Sequence, residues 1–182
     1  MWLAALLIAA ATAYRLMAHP YNVAPIDAMF LLSALYLPRR GAIAWAFPFS
    51  AVILSDMLIY YQWDGSFLSF GRLIDYAAFA LIGLLGLWAK HRGFSARVAA
   101  MLAAPFIFFV VSNFGVWLAA DYGTASLYSR TLEGLLSCYL AGLPFLKGTI
   151  VGDLIFAGGG MLLIESARHS RAVILRWLSQ PA

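Results

Sequence analysis

TLEGLLSCYLAGLPFL, residues 131–146, decides how often this chain crosses a bilayer. The stretch is apolar enough to be a crossing of its own. A seventh crossing would send Arg168, Arg171 and Arg176 to the side opposite the other basic loops and leave Lys147 within. Cytoplasmic loops collect Lys and Arg, so the charge pattern opposes that path. Glu133, Gly142 and Pro144 also shorten the clean apolar run. The stretch is therefore expected to form an outer-surface helix, lying across the mouth of a bundle between its fifth and sixth membrane helices.

The same pattern runs through the whole chain. Short polar stretches interrupt the apolar spans, and every second one is basic: Arg39 and Arg40, then Lys90, Arg92 and Arg97, then Arg168, Arg171 and Arg176. The stretches between them hold Asp27, Asp56, Asp64, Asp75, Asp121, Glu133 and Asp153, accompanied by Arg15, Arg72, Arg130 and Lys147. Eight cations and one acid, Glu165, thus stand against four cations and seven acids. The basic side is assigned to the cytoplasm and the acidic side outward.

Composition sets the class. Of 182 residues, 64% are hydrophobic and 11% charged, and the mean hydropathy is +0.86, outside the range of a soluble domain. One integral membrane domain over residues 1–182 is expected. The basic pI of 9.4 reflects topology rather than nucleic-acid binding, because the cations are scattered among loops beside apolar spans. Residues 1–18 lack a basic leading segment, and Arg15 interrupts their apolar core, so they read as a retained first helix rather than a signal peptide. A single cysteine excludes an internal disulfide.

Six helices are expected, at about 2–18, 25–38, 42–61, 72–90, 97–119 and 148–166, both termini being cytoplasmic. The second is short, bounded by Pro25 and Pro38, and is expected to lie partly at the outer surface. Trp2, Trp45, Trp63, Trp88, Trp117 and Trp177 all fall near span ends, where amphipathic rings settle. The tail RHSRAVILRWLSQ, residues 168–180, alternates basic and apolar residues and is expected along the inner interface.

Ionisable groups inside spans cost about 2.5–3.5 kcal/mol each at a helix centre. Here they gather toward one face. Asp56 ends the expected third helix, Asp75 begins the fourth, Asn113 and Trp117 lie in the outer half of the fifth, and Asp153 begins the sixth. Arg15 and Asn22 flank the outer end of the first. Taken singly, Asp75 and Asp153 read as ordinary helix-start residues. Taken together, with Asp27, Arg130, Cys138 and Tyr139 on the same side, they indicate a solvent-accessible outer cavity rather than a proton or ion wire, whose groups would be spaced through the bilayer.

Catalysis has little support. Cys138 as nucleophile or metal ligand would need a neighbouring base or further ligands, and His19 is the sole outer histidine. A small buried thiol on a surface helix is the simpler account. Paired carboxylates at one site, a phosphate-cradling loop and zinc-protease spacing are not expected from the sequence. Gly158, Gly159 and Gly160 sit in an apolar helix, where they permit close packing or a slight kink. Ala5, Ala9 and Ala13 form a small-residue stripe that would let a partner helix approach, or serve packing within the bundle.

The segments HPYNVAPIDAMFLLSALYLPRR, FPFSAVILSDMLI, SNFGVWL and TLEGLLSCYLAGLPFLKGTIVGDLIF occur in that order. On them the chain resembles an uncharacterised bacterial membrane family, the domain of unknown function 6580, over about residues 15–160. Its architecture resembles the substrate-binding S components of energy-coupling-factor transporters. That resemblance implies six helices with both termini inside, and a vitamin-like or metal-related substrate bound near the outer surface. It also implies an alanine stripe docked on a transmembrane subunit driven by ATPases.

The expected function is accordingly a non-enzymatic binding subunit for small-molecule uptake in the bacterial cytoplasmic membrane, with no resident cofactor or metal. Its site would draw on Asn22, Asp27, Asp56, Asp75, Asn113, Trp117, Arg130, Cys138, Tyr139 and Asp153. Asp and Asn would fix polar groups, Arg130 an anionic group, and Trp117 and Tyr139 a flat ring. Ala5, Ala9 and Ala13 would face the partner. The alternatives are a non-catalytic subunit scaffolding a larger membrane complex, and an intramembrane enzyme using Cys138.

Overall fold

The computed structural model describes residues 2–17, 20, 22–37, 42–62, 69–119 and 127–179. His19, Arg39, Arg40, Trp63, Asp64 and Asp121, which entered the reading of charge and span ends, lie outside them. The described residues are helical and contain no strand. The elements are α1 (Trp2–Arg15), α2 (Ile26–Tyr36), α3 (Ala42–Gln62), α4 (Phe70–Lys90), α5 (Phe94–Ala119), α6 (Leu132–Asp153), a π-helical turn (Leu154–Gly158) and α7 (Gly159–Leu178). The last three are one unbroken rod, so the described residues make six helices.

Three of these are long and apolar enough to cross a membrane: α4, α5 and the run Leu132–Arg176. Their outer faces carry large apolar side chains, among them Leu81, Leu84, Leu102, Phe106, Leu140, Leu143, Ile155 and Leu162. A water-soluble domain would bury such residues; a membrane protein turns them to lipid. The chain is a membrane protein.

The second helix differs from expectation. It does not lie at the surface but forms the axis of the bundle, with ten of its eleven residues buried. It touches α1, α3, α4, α5 and the π-helical turn. A helix apolar around its whole circumference has no face to give to water, and IDAMFLLSALY is of that kind. Its shortness reflects burial, since an enclosed helix need not span the bilayer.

Aromatic rings tie this axis to its neighbours. Phe30 stacks on Phe79 at 5.3 Å between centroids and meets Phe49 edge-on at 4.7 Å. Phe79 stacks in turn on Phe108 at 5.4 Å. Gly86 brings α4 close to α2, since a Cβ there would lie 2.8 Å from Ala34 Cβ and 3.2 Å from the Leu31 carbonyl oxygen. Small residues at crossings let membrane helices gain van der Waals contact.

The expected outer-surface helix is likewise corrected. Residues 131–146 do not make a separate element; they begin the long rod, which runs through Gly142 and Pro144 without interruption. The expected sixth helix, 148–166, is the continuation of the same rod, and so is the tail to Leu178. Pro and Gly break helices far less in a membrane protein, where the alternative is an unsatisfied backbone; Pro48 and Pro105 also lie within helices. Thr131 starts the rod by accepting a hydrogen bond from the Gly134 N–H at 3.1 Å. The 45 residues from Leu132 to Arg176 alone extend about 65–70 Å, so only part need lie within a hydrocarbon core about 30 Å thick. It packs antiparallel to α5: Gly142 against Asn113, Gly158 against Met101, Glu165 against Arg97. Gly160, beyond the π-helical turn, gives room to Leu32 of the axial helix.

Charges separate to opposite ends of this bundle. At the basic end, Glu165 Oε1 accepts from Arg97 Nη1 at 2.6 Å and from the Tyr36 hydroxyl at 2.9 Å, and Arg168 lies over the Tyr36 ring at 4.8 Å. Lys90 Nζ donates to the Leu37 carbonyl, closing the C-terminal end of α2. The acidic end holds the remaining ionisable residues of interest.

Candidate functional site

Three helix ends build the first part of the site. Arg15 closes α1, Asp56 lies about two turns before the end of α3, and Ser69 opens α4 by accepting from the Arg72 N–H at 3.2 Å. Asp75 therefore does not start α4; it sits in its second turn, and Ser69 is the cap. The Arg15 guanidinium pairs with Asp56 and also donates to Ser55 Oγ and the Val52 carbonyl. The second Asp56 oxygen accepts from the Tyr76 hydroxyl at 2.8 Å and lies 3.6 Å from Arg72 Nε. Arg72 Nη1 reaches Asp75 at 3.4 Å. Asp56 is fully buried, so this network holds two carboxylates between two guanidinium groups with most of its bonds satisfied. Such an arrangement positions side chains and leaves little binding capacity of its own.

The second part is a pair of carboxyl groups where none was expected at one site, Asp27 and Asp153, which the sequence places 126 positions apart. Asp153 was expected to begin a helix; instead it lies deep in the rod, at the junction with the π-helical turn, and is 2% exposed. Asp27 stands in the first turn of the axial helix and is 3% exposed. The two carboxyl groups lie against each other. Among the described residues no donor stands in good hydrogen-bond geometry to Asp27 Oδ2 or to either Asp153 oxygen, so a bond between the two carboxyls requires a shared proton; the Ala28 N–H lies beside Asp153. Two features of the backbone bring them together. Asn22 takes a left-handed conformation, φ 56°, which Asn tolerates better than most residues, and it turns the chain into α2. Gly152 presents bare backbone to Ala24, where a Cβ would sit 3.3 Å from the carbonyl oxygen.

Two adjoining cavities lie at this end of the bundle, and Asp27 lines the smaller of them. One, of about 460 Å³, opens between α4, α5 and α6 and is lined by Asn22, Asp75, Asn113 and Cys138 with Phe108, Tyr128 and Thr149. The other, a recess of about 250 Å³, is lined by Asp27, Arg72, Asp75, Phe79 and Phe108. They share Asn22, Asp75, Phe108 and Thr149. Asn113 Nδ2 is bonded to the Phe109 carbonyl at 2.8 Å, and its amide packs on Gly142, where any Cβ would collide with it.

Of the ten residues expected at the site, five line these cavities: Asn22, Asp27, Asp75, Asn113 and Cys138. Asp56 and Asp153 stand directly behind them. Trp117, Arg130 and Tyr139 do not line either cavity. Trp117 Nε1 donates to the Ser129 carbonyl at 2.9 Å, and Arg130 lies over the Trp117 ring and bonds the Leu118 carbonyl. The Tyr139 hydroxyl donates to the Val110 carbonyl at 2.8 Å. These three bind the 127–131 segment and α6 to α5. Cys138 Sγ lies 3.3 Å from the Asn113 carbonyl oxygen and is buried. Arg72, Tyr76, Phe79, Phe108 and Thr149 were missed. Arg72 had been counted among the acidic-side cations, but nothing in the spacing of the others marked them from lipid-facing or packing residues.

A family model described as a family of unknown function, DUF6580, matches residues 1–173. The chain belongs to the DUF6580 family. No curated protein and no solved structure matches it. For this DUF6580 protein the chemistry must therefore be argued from the site itself. Among the described residues no three His, Cys, Asp or Glu side chains are grouped to hold a metal ion, and the paired cavities carry carboxylates and carboxamides beside aromatic walls, a surface suited to binding.

Proposed function

We propose that this DUF6580 protein is the substrate-binding subunit of a small-molecule uptake system in a bacterial cytoplasmic membrane. The two adjoining cavities at the acidic end carry this reading: they are concave, mix apolar walls with a few polar groups, and are supported by a satisfied ion-pair network. Substrate enters from outside, six helices cross the membrane, and both termini are cytoplasmic. The charge asymmetry between the two ends of the bundle supports that orientation. Transport is energised by a partner, as in the energy-coupling-factor systems that the sequence resembles. The first helix has a side free for it, because Ala4, Ile8, Ala11 and Arg15 are buried while Ala9 and Ala13 are exposed and Ala5 is half-buried.

Protein purified from cells should carry a small molecule detectable by mass spectrometry, and Asn113→Ala should reduce its retention about tenfold, the value of one or two lost hydrogen bonds. Stable protein partners without any small molecule would instead favour the scaffolding role. Orientation is checked separately. Reporter domains fused after Ala182 should be active only in the cytoplasm, whereas one inserted near residue 124 should be active only outside; the reverse result removes the outward-facing site.

A further inference from the structure

The charges around the recess do not balance. Arg15 and Arg72 are engaged by Asp56 and Asp75. That leaves Asp27 and Asp153, adjacent and buried, with no cation of the described residues in an ion pair with either. Their position by the N-terminal end of α2 offsets part of one negative charge. With a single proton shared between them, the pair carries one negative charge in a medium where an uncompensated ion is costly, and a bound cation would offset it. Asp27 is the member that faces the recess, and its Oδ2 has no hydrogen-bond donor.

We propose that the recess at Asp27 binds the ammonium group of a small organic monocation, whose flat apolar part lies along Phe108; the proposal rests on the reading of these cavities as a ligand site. The ammonium supplies the donors and the positive charge that the pair lacks. No third His, Cys, Asp or Glu is grouped with these two carboxyls to hold a metal ion among the described residues. Phe79 and Phe108 are stacked nearly parallel, at an interplanar angle of 1°, and both line the recess while Phe108 also lines the adjoining cavity, so an aromatic or cationic group can rest on a π-face. An anion is disfavoured because Asp27 and Asp75 both face the space that it would fill, while the one cation of that lining, Arg72, is engaged by Asp56 and Asp75. At about 250 Å³ the recess lies below the roughly 300–1,000 Å³ of drug-sized sites, which suits a single small head group, with the adjoining cavity free for the remainder of a larger ligand.

The test uses the full chain in lipid nanodiscs, titrated calorimetrically with benzylammonium, benzyl alcohol and benzoate, three probes of one shape and different charge. Benzylammonium should bind at least tenfold more tightly than benzyl alcohol, and benzoate should not bind. Asp27→Asn, which preserves shape, should weaken benzylammonium at least tenfold while changing benzyl alcohol by less than twofold; Asp153→Asn should act in the same direction. If Asp27→Asn fails to fold, the selectivity of the wild-type protein among the three probes decides. Equal binding of amine and alcohol, or an unchanged benzylammonium affinity in Asp27→Asn, overturns the cation site. In that case a benzyl alcohol affinity that falls in Asn113→Ala leaves the cavity standing as a binding site. Absence of binding by all three probes overturns the cation site, and absence of any co-purifying molecule then removes the cavity reading as well.

Discussion

Asp56→Ala is expected to destabilise the fold by about 3–5 kcal/mol, the range for removing one partner of a buried ion pair. Asp56 is wholly enclosed and joins three helices through Arg15, Tyr76 and Arg72. Its loss strands the Arg15 guanidinium, itself 8% exposed, with only Ser55 and the Val52 carbonyl as partners. The cost arises from that orphaned charge more than from the lost attraction. Arg15→Leu combined with Asp56→Ala should therefore recover a substantial part of the loss, because no unpaired charge remains between α1 and α3. The check is a double-variant cycle of unfolding in detergent. Strictly additive losses would show that the two side chains do not act as a pair.

Phe30→Ala should cost a similar amount, about 3–5 kcal/mol, for a different reason. Phe30 is 1% exposed and is held between Phe79 and Phe49. Deleting its ring opens a void on the axis of the bundle, where no lipid or water reaches to fill it. Helices in lipid are held by packing rather than by exclusion of water, so the lost contacts matter in full. Leu81→Ala on the exposed face of α4 should cost under about 1 kcal/mol, since acyl chains replace the lost methyl groups. Equal unfolding midpoints for Phe30→Ala and Leu81→Ala would contradict the central placement of α2. A Phe30→Leu variant, which conserves more volume, should fall between them.

The site was legible in part, and the reason differs residue by residue. Asn22, Asp75, Asn113 and Cys138 were found because polar groups in apolar spans are costly and therefore stand out. Asp27 and Asp153 were found as acids but not as a pair, since nothing local links residues 126 positions apart. Phe79, Phe108 and Thr149 were invisible because the chain is rich in such residues, most of which face lipid or other helices. Trp117, Arg130 and Tyr139 carried the right chemistry but spend their polar atoms on the backbone of the 127–131 segment and α5.

From the sequence by itself came the membrane class, the helical content, the approximate extent of the first five helices, and the separation of acidic from basic residues. Each of these is local: hydropathy accumulates along a segment, and charge is either present or absent between two spans. Only the tertiary structure decided that α2 is the axis, that residues 132–178 are one rod, and that Asp27 meets Asp153. Lipid tails are as apolar as a protein interior, so hydropathy does not distinguish a helix facing lipid from one facing other helices. That choice is made by shape, through Gly86 against Ala34, Gly152 against Ala24 and Phe30 against Phe79, and shape complementarity exists only once the helices are assembled.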